Sequence, residues 1–265
     1  MVEKIINIAL GAGEIIMNVK KKGFKTKTKS NEFDFVTEAD EKADTYIRKE
    51  LKKLFPEDLI LSEESNNIPK NFNENVWMVD PLDGTKNFVN GGNDFSVMIG
   101  LCKKGKPILG VVYAPEKNLL YYAEKGKGAF TKQKENISCL SVNNISQIEK
   151  SKIIIRFTHG EKRDTDAMIQ DIPSLGKIPI SSIGIVLGMI AEKKAEFHIS
   201  TNKRISKWDT CAPQIILEEA GGILTDWKGS KPDYTQENSN WEKLFIASNK
   251  VIHKKVIEYI RNYYK

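Results

Sequence analysis

Twelve residues constrain this chain more than any others: Trp77–Phe88, WMVDPLDGTKNF. An apolar run that reads as a strand ends at Asp80, Pro81 fixes the local backbone, Asp83 follows three residues after Asp80, and Gly84-Thr85 opens a helix. Two carboxylates are thereby pinned beside the unpaired N–H groups of a helix start. Carboxylate oxygens bind hard divalent cations and helix N-termini bind phosphate, so one short segment supplies both halves of a metal-assisted phosphate site. Taken alone it is equally an Asp-rich turn with a capped helix.

The rest of the chain supplies the layers around this turn. Ile5, Ile8, Ala12, Ile15 and Ile16 recur at helical spacing, and Glu3 and Glu14 make Ile5–Met17 an amphipathic helix rather than a secretory leader. A second helix runs from about Glu38, with Ala43, Ile47, Leu51 and Leu54 on one face, until Pro56. The short runs Leu59–Leu61 and Val76–Val79 end in acids, and Phe95–Leu101, Ile108–Ala114 and Leu119–Ala123 form an antiparallel meander. Strand-like Lys152–Phe157, helix Ile183–Lys193, strand Ala195–Ile199, helix Thr210–Ala220, strands Ile223–Asp226 and Leu244–Ser248 and helix Val251–Tyr263 follow. This order predicts a layered α+β fold, with mixed sheets between helix pairs. At 265 residues, the expected organisation is a single unit of two packed halves, approximately 1–145 (α+β) and 146–265 (α/β).

Composition excludes other classes. Hydrophobic residues at 40% and charged residues at 29% are those of a globular chain rather than a disordered or collagen-like one, and no run is long enough to span a membrane. The net charge of +6 comes from lysine, since only five of the 41 basic residues are arginine. That surplus attracts anions in general and lacks the bidentate fork that reads base edges, so no sequence-specific nucleic-acid partner is expected. Cys102, Cys139 and Cys211 form no C-x-x-C pair, which points to a reducing, cytoplasmic setting without structural zinc.

Three further acidic segments join the first. In LILSEES the adjacent Glu63 and Glu64 point to opposite sides of an extended chain, so one at most faces a site; alone, the pair reads as a solvated loop. In KWDTCAPQIILEEAGG, Asp209 stands where a helix begins, either as its N-cap or as another metal carboxylate. In DFVTEADEKA, Thr37 and Asp40 have capping-box spacing, and Asp40 could instead orient or deprotonate a water.

Together, VTEAD, SEES, DPLDGTKNF, the meander GVVYAPEKNLLYYAEKGKGAF and WDTCAPQIILEEAGG resemble the inositol monophosphatase family, within the magnesium-dependent, lithium-sensitive phosphatases, over nearly the whole chain. The resemblance implies the αβαβα sandwich of the inositol monophosphatase and fructose-1,6-bisphosphatase type. It implies that Glu63, Asp80, the Leu82 carbonyl, Asp83 and Asp209 bind metal, and that Gly84 and Thr85 hold phosphate through backbone N–H groups. Asp40 with Thr85 would support the attacking water, and Glu63 would join them as a catalytic group. Leu82, Asp83 and Asp209 would also line the substrate. The implied cofactor is Mg²⁺, two or three ions, with inhibition by Li⁺ and Ca²⁺.

The expected reaction is in-line hydrolysis of a small-molecule phosphate monoester by water that divalent cations activate, without a phosphoenzyme. The chain has D-x-x-D-G-T rather than the D-x-D-x-T of aspartyl-nucleophile phosphatases, and no G-x-x-x-x-G-K-[ST]. IIIRFTHG and WDTCAP are most similar to the 3'(2'),5'-bisphosphate nucleotidase branch, which places Thr158 and His159 in a nucleotide pocket. That branch carries GSS-x-K where this chain reads ISSIGIVLG, with no lysine there; Lys203, Arg204 or Lys207 could substitute in holding the second phosphate. An inositol-1-monophosphatase or fructose-1,6-bisphosphatase-like activity is the alternative, and an RNA- or protein-binding regulatory module is the alternative of another class. The resemblance allows a monomer (nucleotidase branch) or a homodimer (inositol phosphatase branch). Six lysines between Lys20 and Lys29 either draw in a polyanion or form a solvated loop.

Overall fold

Helix α1 (Val2–Lys22) buries Ile5, Ile8, Ala12, Ile16 and Val19 on one stripe, and its last turn carries Lys20, Lys21 and Lys22, whose charge suits the C-terminal end of the helix dipole. The hairpin β1 (Thr26–Thr28) and β2 (Phe35–Thr37) leads into α2 (Glu38–Leu54), which buries Ala39, Ala43, Ile47 and Leu51. Next come β3 (Leu59–Ser62), β4 (Asn75–Asp83), the five-residue helix α3 (Thr85–Val89), β5 (Ser96–Lys103), β6 (Lys106–Ala114), β7 (Leu119–Glu124), β8 (Ala129–Gln133) and β9 (Asn136–Cys139). These strands form a seven-stranded sheet in chain order, parallel only between β3 and β4. The second half runs β10 (Lys152–Arg156), α4 (Asp166–Asp171), β11 (Gly176–Ile180), α5 (Ile183–Ala191), β12 (Phe197–Ser200), β13 (Ile205–Ser206), α6 (Lys207–Glu219), β14 (Ile223–Asp226), β15 (Asn240–Trp241), β16 (Phe245–Ser248) and α7 (His253–Tyr263). Its main sheet has the order β11-β10-β12-β16-β14, and β13 pairs with β15. This computed structural model describes residues 1–28, 35–65, 69, 71–156, 166–200, 205–236, 240–241 and 244–264.

Period-two alternation sorts the strands into layers. Trp77 and Val79 of β4, with Val97, Ile99, Leu109 and Val111, pack under α1 and α2. Met78, Met98, Val112 and Tyr121 face the other way, toward α5 and α6 and, beyond them, Ile154, Leu224, Phe245 and Ala247 of the second sheet. The far face of that sheet, Ile153, Phe197, Ile199 and Ile246, is covered by Met168 and Ile169 of α4 and by Val256, Ile257 and Ile260 of α7. The result is the expected order helix, sheet, helix, sheet, helix. Helix α5, IGIVLGMIA, is apolar on every side because it lies between two sheets, and eight of its nine residues are buried.

Two glycines set the height of α6. Gly100 and Gly110 face each other across β5 and β6. A Cβ on Gly100 would lie 2.7 Å from Ala212 N, and one on Gly110 would lie 2.3 Å from Ala212 O. The helix backbone therefore rests directly on the sheet, and its first turn, with Asp209, is held at the end of β4.

Some boundaries differ from the sequence expectation. β4 continues through Pro81 to Asp83, with its pairing to β5 shifted between Asp80 and Asp83. Helix α6 begins at Lys207, not Thr210. Strands β8 and β9 extend the meander beyond the three expected, and β9 is exposed throughout, so no buried face marks it in the sequence. Cys139 lies on that exposed edge, whereas Cys102 and Cys211 are buried. Among the described residues, no helix is long and apolar enough to cross a membrane.

Candidate active site

The end of β4 and the start of α6 meet. Asp80 and Asp83 are 1% and 2% exposed, and Leu82 N donates to Asp80 Oδ1 at 3.0 Å. Gly84 then turns the chain at φ 90°, and a Cβ there would lie 2.6 Å from Asp94 O, so glycine is needed both for the dihedral and for the approach. Asp209 comes from the other half of the chain. Ser206, not Asp209, is the N-cap of α6; Asp209 is the third helical residue, and its Oδ2 accepts from Ser206 N at 2.6 Å. One carboxylate oxygen from each of Asp80, Asp83 and Asp209 lies within 4.8 Å of the others.

Burial dominates the electrostatics of this trio. It pushes the Asp80 carboxyl well above the usual range, with Glu63, Asp83 and Asp209 adding repulsion. Burial also raises Asp83, against the opposing charge of Arg156, and brings Asp209 up to about 7. Three crowded carboxylates that resist ionising together form a centre short of positive charge. Their all-oxygen donor set fits a hard divalent cation such as Mg²⁺. Glu63 follows β3, is half-buried and is tied to β4 by its N–H to Val79 O at 3.1 Å. It stands outside the tight trio, yet its charge raises Asp40, Asp80, Asp83 and Asp209.

These shifts fix the sign of a pH effect. Without divalent cations, the four raised carboxyls make the folded chain bind more protons than the unfolded chain between about pH 4 and pH 7, so stability falls as pH rises through that window. Buried His253, lowered to about 4, acts in the opposite sense from the far side of the second sheet. Its contribution cancels when two cation conditions are compared. Lowering the pH from about 7.5 to about 5.5 in EDTA is therefore expected to raise the unfolding midpoint by several degrees relative to the same change in saturating Mg²⁺. Equal pH slopes by calorimetry would contradict this.

Next to the trio, Asp40 and Thr85 join the starts of α2 and α3. The capping box is present: Thr37 N and Oγ1 donate to Asp40 Oδ2 at 2.8 and 2.5 Å. The other oxygen faces Thr85 Oγ1 at 3.0 Å, while the Leu82 carbonyl lies 2.9 Å from that same hydroxyl. One hydroxyl proton serves two acceptors, so Asp40 and Leu82 O compete for it. Burial outweighs the hydrogen bonds at Asp40 and lifts it to about 6. It thus ionises near neutrality and is poised to accept a proton.

Sequence reasoning missed the residues that hold Asp83. Ser182, N-cap of α5, donates to Asp83 Oδ2 at 2.5 Å, and Gly184 N donates to the same oxygen at 3.0 Å. Arg156 Nη2 stands 3.6 Å from Asp83 Oδ1, and its Nε donates to Ser181 O at 3.2 Å. Asn87 of α3 donates to Ser181 Oγ at 3.2 Å, which ties both halves of the chain together beside the centre. The signal lay in the segments IIIRFTHG and ISSIGIVLG, at Arg156 and Ser182 rather than at the positions singled out there.

Of those positions, Thr158 and His159 lie outside the described residues, as do Lys203 and Arg204. Lys207 is corrected: it is fully buried, its Nζ sits 3.7 Å from the Phe72 ring centroid, and it donates to the carbonyls of Tyr234 and Gln236. An ammonium held in that pocket does not reach a second phosphate at the centre. The lysine-rich stretch is partly engaged as well. Lys20 pairs with Glu116 at 2.8 Å and Lys27 with Glu41 at 3.1 Å.

Known proteins resemble this chain over most of its length. The profile of the inositol monophosphatase family matches residues 1–265. The 3'(2'),5'-bisphosphate nucleotidase CysQ of Salmonella typhimurium is 34% identical over 246 residues, which cover 90% of this chain and 96% of that protein. The fructose-1,6-bisphosphatase/inositol-1-monophosphatase of Thermotoga maritima is 34% identical over 248 residues, covering 92% and 86%. Among solved structures, the Thermotoga maritima IMPase superimposes with a TM-score of 0.84 at 28% identity, covering 97% of this chain and 95% of that one.

Proposed function

The chain belongs to the inositol monophosphatase family and is a phosphatase, and we propose that its substrate is a 3'(2'),5'-bisphosphate nucleotide, 3'-phosphoadenosine 5'-phosphate being converted to AMP. The observation that carries the catalytic part is the buried Asp80, Asp83 and Asp209 trio standing beside the Asp40–Thr85 pair. The substrate part is supported by similarity to CysQ over nearly that protein's full length.

Asp80, Asp83 and Asp209 would hold Mg²⁺, with Glu63 and the Leu82 carbonyl completing the set of oxygens. Bound Mg²⁺ supplies charge that offsets the phosphate dianion and acidifies water. Gly84 and Thr85 turn backbone N–H groups toward the phosphate at the α3 start. Thr85 Oγ1, while donating to Asp40 Oδ1, accepts a hydrogen bond from the attacking water. The water oxygen attacks phosphorus in line, its proton passes through Thr85 to Asp40, and the P–O bond breaks with its electron pair on the leaving oxygen, which takes a proton from solvent water to become the alcohol. No covalent phosphoenzyme forms. Two or three Mg²⁺ ions, with inhibition by Li⁺ and Ca²⁺, belong to this reading.

The equal identity of the Thermotoga maritima relative favours a second reading, a sugar or inositol phosphatase. The absence of lysine from α5 and the burial of Lys207 weigh in the same direction. A side-by-side assay with Mg²⁺ separates the two. The nucleotidase reading expects the highest kcat/KM for 3'-phosphoadenosine 5'-phosphate, loss of turnover in EDTA, and inhibition by Li⁺ at roughly tens of millimolar, a level that competes at a partly hydrated cation site. Preference for inositol 1-phosphate or fructose 1,6-bisphosphate establishes the second reading instead.

A further inference from the structure

The acidic centre has a cation of its own. Arg156 closes β10, its Nη2 reaching to 3.6 Å from Asp83 Oδ1 while Nε is held by the Ser181 carbonyl at 3.2 Å. Its side chain is 15% exposed and that of Asp83 is 1% exposed, so little water screens the pair. A guanidinium does not lose its proton, and this charge is therefore permanent.

The geometry is that of a loose contact. A strong arginine–carboxylate pair is bidentate at about 2.7–2.9 Å. Here one amino group leans on one oxygen from beyond that range, while the other Asp83 oxygen is taken by Ser182 and Gly184. The carboxylate is thus held in place by neutral donors, and the arginine adds charge rather than orientation.

We infer that Arg156 is the resident countercharge of the centre: it offsets the charge of Asp83 while no divalent cation is bound, opposes cation entry by like-charge repulsion, and so weakens the centre's affinity for divalent cations. The inference rests on the reading of Asp80, Asp83 and Asp209 as cation ligands. Two consequences follow. The folded chain tolerates its buried acids without metal, and the cation stays exchangeable.

The test compares wild type, Arg156→Met and Arg156→Lys by calorimetric titration with Mg²⁺ and Mn²⁺ and by thermal unfolding in EDTA and in saturating Mg²⁺. At a pH well above the range of the raised carboxyls, where protons no longer compete for the ligand oxygens, Arg156→Met, which keeps length and apolar bulk, is expected to bind Mg²⁺ about tenfold more tightly, because a unit charge a few ångströms away is removed. It should also unfold at a lower temperature than wild type in EDTA, with the gap closing in saturating Mg²⁺. Arg156→Lys should behave nearly as wild type and carries the comparison if the methionine variant does not fold, against Arg156→Gln as the uncharged partner. Equal or weaker Mg²⁺ binding by the uncharged variant overturns the inference and leaves the cation site standing. If wild type itself binds neither ion, the cation reading fails and this inference fails with it.

Discussion

Asp83→Asn is expected to lower kcat/KM by at least about a thousandfold at saturating Mg²⁺, since a ligand charge in such a centre accounts for several kcal/mol of transition-state stabilisation. The substitution is nearly isosteric but changes what the oxygens can do. In the native chain Asp83 Oδ2 accepts from Ser182 Oγ and Gly184 N, while Oδ1 faces the Arg156 guanidinium at 3.6 Å. An amide keeps one acceptor and turns an NH₂ group toward either the donors or the arginine. The fold should survive, because burial already disfavours the charge on this side chain, and removing it relieves repulsion among the three acids. Circular dichroism and an unfolding midpoint in EDTA within a few degrees of wild type would separate this from misfolding. Full turnover with saturating Mg²⁺ would falsify the assignment of Asp83 as a ligand.

The second large effect is expected at the proton-handling pair. Thr85→Ala removes the hydroxyl that lies 3.0 Å from Asp40, and Asp40→Asn removes the group that can take up a proton. General-base assistance of this kind is worth about 10²–10⁴-fold, so each variant should lose at least about a hundredfold in kcat with little change in KM. The double variant should be scarcely worse than either single one, because two groups that act as a unit lose their function once. Multiplying losses in the double variant would show that the two residues act separately. Asp40→Asn also disturbs the cap of α2, where Thr37 N and Oγ1 both donate to the carboxylate. Thr85→Ala leaves that cap untouched, which makes it the cleaner reading of the pair.

What could be read in the sequence follows from how local each feature is. Helices α1 and α2 were visible because a buried stripe repeats every three or four residues. The turn after β4 was visible because Pro81, Gly84 and two acids each have a local reason to be there. Asp209 was ambiguous for a physical reason: the carboxylate that completes the trio also accepts the capping N–H of Ser206, so one residue carries both patterns. Arg156 and Ser182 were illegible because their role depends on strand order. β10 takes its place between β11 and β12, and α5 starts beside Asp83, and neither placement is encoded near those residues. Lys207 misleads as a charge in a polar-looking motif, and only its tertiary setting over Phe72 shows that its ammonium is occupied. Strand β9 lacks a buried face altogether, so hydrophobic periodicity has nothing to mark.

The paired glycines beneath α6 carry a consequence for synthesis of the chain. Asp209 is translated 126 residues after Asp83 (209 − 83), and it arrives on a helix that must settle against bare backbone at Gly100 and Gly110. Until then α5 covers Met98, Val112 and Tyr121, but the stretch of sheet around Gly100 and Gly110 lacks the cover of α6. A product truncated before residue 207 would keep every residue of WMVDPLDGTKNF and still lack the third carboxylate. Such a fragment is expected to be inactive, and the cation centre forms in one step when α6 docks on the glycine pair.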